Sequence, residues 1–189
     1  MPTKSSSITA TVIEDHTDVK HAYQQYLAAR GNIAERERWA NHFRWELTRH
    51  SLAEELYLYP AFEQYLGPEG KKMADEDRAD HQKVKNLLHV LEASSVADSH
   101  YPCTFEELMA NLLEHIQSEE ENDLPKFERA ITPEISASIA RQFELTKMLV
   151  PTQSHSDTQH KVPFKTVGEF MGASFEKIQH LLDEYSKTN

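Results

Sequence analysis

One short pattern occurs twice in this chain and limits what it can fold into. Residues 50 to 60 read HSLAEELYLYP and residues 115 to 125 read HIQSEEENDLP, each being His, three residues, Glu-Glu, four residues and Pro. The interval is 65 residues, and a second pair of segments keeps it: DHTDVK at 15 to 20 and DHQKVK at 80 to 85 share Asp, His, Val and Lys in the same places. Two different motifs with one common offset are the mark of an internal duplication. The chain is therefore read as two copies of one helical hairpin.

The spacing supplies the chemistry. Residues four apart on an α-helix lie one above the other, so His50 with Glu54, and His115 with Glu119, each present an imidazole and a carboxylate together. The other helix of each hairpin contributes His16 or His81. If the hairpins pack with these faces inward, four imidazoles and two carboxylates meet, which is a ligand set for two metal ions. A lone His on an apolar stripe is ordinarily a hydrogen-bonded core residue. Repetition of both motifs at one offset, and the cost of burying Glu54 and Glu119 without a partner or a cation, set this group apart.

Other polar residues take plainer roles. Glu55 and Glu120, about 100° around the helix from their neighbours, are read as supporting or solvent-facing residues. Asp15 and Asp80 are placed at the solvated edge of the site. His21, His42, His89, His100, His155, His160 and His180 are assigned to surface or packing, although His42 and Glu46 continue the His50 stripe.

Periodicity and end signals predict the elements. A first helix runs from about Ile8 to Arg30, ended by Gly31, and Asn32 with Glu35 resembles a cap for a second helix reaching Leu66. Pro60 should bend that helix near Leu56. A third helix covers about Glu69 to Ala93 and a loop covers Ser94 to Cys103. Thr104 and Glu107 form a capping box for the fourth helix, in which Pro125 repeats the bend. The fold class is all-α, an up-down four-helix bundle over residues 1–131. Residues 132–189 form accessory C-terminal helices and a linker packed on it. Thr132-Pro133-Glu134 opens one such helix, 151–163 is a polar linker, and a last helix runs from about Thr166 to Tyr185.

Charge and cysteine usage narrow the partners. A net charge of -11 argues against nucleic acid. Cys103 is the one cysteine, so the chain has neither an internal disulfide nor a thiolate metal site. No stretch approaches the roughly 18 apolar residues of a membrane span, and the N-terminus lacks a signal-peptide core. The expectation is a soluble cytoplasmic protein without membrane contact.

The order His16, His50-xxx-Glu54, His81, His115-xxx-Glu119, with Tyr-Pro and Leu-Pro after the Glu-Glu pairs, resembles the hemerythrin HHE cation-binding domain over about residues 9 to 130. The long tail is similar to those of fungal members. The resemblance implies a non-haem di-iron centre that meets O2, with Glu54 and Glu119 as bridging carboxylates, His16 and His50 on one side and His81 and His115 on the other. Mixed imidazole and carboxylate donors suit iron, and manganese or zinc as well. Oxygen-carrying members have a further His one turn after the first on the third helix, where this chain has Lys85. With one nitrogen donor fewer, more coordination positions stay open. The leading expectation is thus O2 activation, an oxygenase or oxidase acting on a small apolar substrate with an external electron donor. Phe43, Val84, Leu88 and Leu112 are candidates for its apolar wall. The alternative is non-catalytic O2 binding, iron storage, or iron and oxygen sensing.

Overall fold

The structure, a computed structural model, describes residues 7–148; the tail expectations for 151–163 and 166–185 fall outside them. Helix α1 spans Ile8–Ala28 and α2 spans Ile33–Ala53, after which the same rod passes through a π-helical turn, Glu54–Leu58, into α3, Tyr59–Leu66. Helix α4 spans Pro68–Glu92. A second composite rod follows, with α5 at Tyr101–Ser118, a π-helical turn at Glu119–Asp123 and α6 at Leu124–Ala130. Helix α7, Pro133–Met148, completes the described residues, and no strand is found among them. The first four rods make the up-down bundle, α1 packing on α2, α3 on α4 and α4 on α5, while α7 is the additional helix.

Several ends follow local chemistry. Ser7 caps α1, its hydroxyl accepting from the Ala10 N–H, and the Asn32 side chain accepts from the Glu35 N–H as expected. The corner between α3 and α4 is made by Gly67 at φ 61°, a conformation L side chains avoid. Three residues on, a Cβ at Gly70 would lie 1.9 Å from the Phe62 carbonyl oxygen, so only glycine lets the two helices turn this closely.

Two expectations change. Helix α5 begins at Tyr101, with Pro102 in its first turn, so Tyr101 to Cys103 are helical rather than loop. The Thr104–Glu107 capping box does not form, and the Thr104 hydroxyl donates back to the His100 carbonyl at 3.2 Å. A proline whose missing N–H is harmless in a first turn outranks a side-chain cap two residues later. The bends expected from Pro60 and Pro125 are π turns instead: the Tyr59 N–H donates to the Glu54 carbonyl and the Leu124 N–H to the Glu119 carbonyl, five residues back. Widening the helix there separates each proline ring from the carbonyl it would otherwise strike.

The core is layered. At one end Val19, Tyr26, Phe43, Leu47, Val84, Leu88, Phe105 and Leu112 pack together, and at the other Ile8, Val12, Leu58, Phe62, Met73, Leu124, Phe127 and Phe143 do so. On each rod the residues between these clusters are polar and buried: Asp15 and His16, His50 and Glu54, Asp77 and His81, His115 and Glu119. Helix α7 closes the second end, where the Ile8 N–H donates to the Ser136 hydroxyl at 2.9 Å. It buries Ser136, Ala137, Ala140, Phe143 and Thr146, while Ile135 and Ile139 are only half-buried. The Phe143 ring reaches within 6.1 Å of the His50 ring and so covers one side of the polar layer.

Candidate metal centre

All six residues picked out by the repeat converge in the polar layer. Glu54 and Glu119 are 0% exposed and the four imidazoles are nearly as deep. They form two groups that share Glu54: His16, His50, Glu54 and Glu119 in one, and Glu54, His81 and His115 in the other, with candidate donor atoms within 4.8 Å of one another in each. The arrangement has approximate two-fold symmetry. The His16 and His50 ring centroids are 4.7 Å apart at an interplanar angle of 72°, and those of His81 and His115 are 4.9 Å apart at 70°. His16 Nε2 lies 3.3 Å from Glu119 Oε2, and His81 Nε2 lies 3.2 Å from Glu54 Oε2.

The surroundings repeat too, with instructive breaks. His16 Nδ1 is 2.9 Å from Glu120 Oε1 and His81 Nδ1 is 3.4 Å from Glu55 Oε1, so Glu55 and Glu120 are supporting residues. His50 Nδ1 lies 3.6 Å from Asp15 and His115 Nδ1 lies 3.7 Å from Asp77. Asp80, the repeat mate of Asp15, instead pairs with Lys83 at the surface. Asp77 serves in its place, one turn before His81. It was missed as a site residue, although an acid on the apolar stripe of Met73, His81 and Val84 is itself a signal. Tyr59, which neither motif marks as a donor, places its hydroxyl 3.0 Å from His81 Nε2, and the related position holds Leu124. His42 and Glu46 face each other at 3.7 Å outside the site. Lys85 is paired with Glu55 at 2.9 Å.

The residues fit a cation. Both oxygens of Glu54 and of Glu119, both ring nitrogens of His50 and of His115, and Nε2 of His16 are buried without a hydrogen-bond partner. Buried polar atoms are rarely left so, because each unsatisfied group carries its full desolvation penalty. A set of such atoms, all of donor types that suit iron, manganese or zinc, is what a metal site looks like from the protein's side.

Protonation points the same way. Burial, reinforced by the neighbouring Glu119 carboxylate, pushes Glu54 well above the usual carboxylate range. Burial pushes Glu119 up as well, but the imidazoles of His16, His115 and His50 around it outweigh that and hold Glu119 low. Asp77 is pushed up to about 8, mainly by burial and then by Glu119. Burial lowers His50, and lowers His115 to about 4, so both imidazoles are neutral and ligand-ready near neutrality. The competing proton therefore sits on carboxylates. A divalent ion should displace it, so zinc affinity should rise from mildly acid to mildly alkaline buffer with net proton release. Calorimetric titration in buffers of differing protonation enthalpy checks this. An affinity independent of pH, without proton release, would contradict the assignment.

Comparison with known proteins agrees. The family model of the hemerythrin HHE cation-binding domain matches residues 7–127. An uncharacterized hemerythrin-like protein of Schizosaccharomyces pombe is 38% identical over 182 residues, covering 96% of this chain and 89% of the relative. The fold is similar to the crystal structure of a hemerythrin HHE cation-binding domain-containing protein from Mycobacterium kansasii, with a TM-score of 0.65 and 22% identity, covering 76% of this chain and 88% of that one.

Proposed function

The chain belongs to the hemerythrin HHE cation-binding domain family, and from that premise we propose that it is a non-haem di-iron protein that binds and activates O2 to oxidise a small apolar substrate. Electrons would come from an external donor. The observation that carries the reading is the inequality of the two donor groups, four residues in one and three in the other. A centre with fewer protein donors leaves positions for O2 or substrate, the feature that separates reactive metal sites from closed ones. Bound iron supplies electron transfer to O2 at this place.

The chain's own residues do the rest. His16, His50, Glu54 and Glu119 hold one position, and Glu54, His81 and His115 the other. Phe43, Val84, Leu88 and Leu112, all buried, wall the layer on one side and exclude water. The Tyr59 hydroxyl, 3.0 Å from His81 Nε2, stands beside the group with three donors, and its proton is at hand there once that nitrogen turns to a metal. Burial and the nearby Glu54 push that phenol well above its ordinary value, so it keeps its proton until one is called for.

The test is O2 consumption by the iron-loaded protein with excess reductant. Repeated consumption is expected, slowed at least tenfold in Tyr59→Phe with iron content unchanged. Uptake that stops after one stoichiometric event would leave a second reading, iron or oxygen sensing. That reading is favoured by the orphaned buried groups, which tie the stability of the fold to metal.

A further inference from the structure

Two of the four site imidazoles are tied to the surface by the same three-residue chain. On one side Lys20 Nζ lies 3.4 Å from Glu120 Oε1, which is 2.9 Å from His16 Nδ1. On the other, Lys85 Nζ lies 2.9 Å from Glu55 Oε1, which is 3.4 Å from His81 Nδ1. All three members are repeat mates, each 65 residues from its counterpart. The lysines are 34% and 36% exposed and the carboxylates 27% and 28%, whereas His16 and His81 are 0% and 2% exposed. His50 and His115 are backed differently, by the buried Asp15 and Asp77.

We propose that Lys20 and Lys85 are positioning residues that act through Glu120 and Glu55 to lock His16 and His81 with Nδ1–H outward and Nε2 toward the centre. An imidazole can carry its proton on either nitrogen, and the acceptor at one nitrogen decides which atom offers its lone pair. A carboxylate at Nδ1 makes the ring donate there, freeing Nε2. A half-exposed carboxylate could swing into water, and the lysine pins it. The Tyr59 hydroxyl on His81 Nε2 is consistent with this tautomer, since that nitrogen must then accept. Lys85 is therefore not merely the place of a missing nitrogen donor. It is half of a matched pair of clamps, and His16 has the other half.

The inference rests on the cation-binding reading and is independent of what the centre does with O2. Exposed lysine–carboxylate pairs add little to stability, so Lys20→Met and Lys85→Met should fold with unchanged melting of the metal-free protein. Nitrogen-15 shifts of the metal-free wild type should show His16 and His81 with Nδ1 protonated and Nε2 bare. In Glu120→Gln and Glu55→Gln, zinc affinity should fall by roughly tenfold to hundredfold, the usual loss when a group backing a ligand histidine is removed. The lysine variants should lose about threefold to tenfold, and Lys20→Arg and Lys85→Arg should recover most of it. The iron midpoint potential should rise in the glutamine variants and fall in the methionine variants, opposite shifts that a purely structural role would not produce. Wild-type zinc binding, measured first, separates the two levels. If none occurs, both the site reading and the clamps fail. If zinc binds and all variants match wild type within twofold, or either ring carries its proton on Nε2, the clamps alone are overturned.

Discussion

Glu54→Leu should move the metal-free and metal-loaded proteins in opposite directions. Glu54 is the residue common to both donor groups, so its loss should take bound metal from about two ions per chain to none rather than to one. Without metal the same substitution removes a carboxylate that is 0% exposed and whose oxygens have no hydrogen-bond partner. Replacing such a group by an apolar one of similar volume orphans nothing new and should stabilise the metal-free protein by about 1–3 kcal/mol. The thermal midpoint of the variant should therefore lie above metal-free wild type and below the loaded form. Metal content by elemental analysis and melting with and without chelator decide it. Retention of stoichiometric metal by the variant would show that Glu54 does not join the two groups.

Removing metal from the wild type should have the largest effect on the fold as a whole. A ligand that binds only the folded chain, at a thousand times its dissociation constant, contributes about 4 kcal/mol, which for a body of this size is a midpoint shift of about 10 °C. The polar layer separates the two apolar clusters, so its loss of cohesion falls in the middle of the bundle. Chelation should lower the midpoint by that amount and re-addition should restore it. Superimposable melts in chelator and in metal would sink the idea that these orphaned groups are held together by a cation.

Much of this architecture is legible in the residues. His16, His50, Glu54, His81, His115 and Glu119 stand out because two motifs share one interval, and the apolar stripes around them mark which helix faces turn inward. What escapes is decided by competition between local signals or by tertiary contact. Pro60 and Pro125 say that the α-helix must yield, but not that it yields by widening at the preceding glutamate. Tyr101-Pro102 and Thr104-Glu107 both advertise a helix start, and only the packed chain shows the proline prevailing. Asp77 breaks the repeat, so no search by interval could find it. The pairing of Lys85 with Glu55 joins residues 30 positions apart and on different rods, beyond the reach of any local pattern.

The paired π turns carry a consequence about ancestry. A π turn is an α-helix with one residue too many, and the two here begin at Glu54 and Glu119, in the same register of their copies. One insertion before the gene segment doubled accounts for both, whereas two later events would have had to strike the same spot twice. On that account the progenitor is a lone hairpin already carrying its extra residue. With two histidines and one glutamate it could complete such a centre only face to face with its twin. The present chain is then that pair joined near Gly67 into one polypeptide, whose halves are free to differ, one with Tyr59 and the other with Leu124.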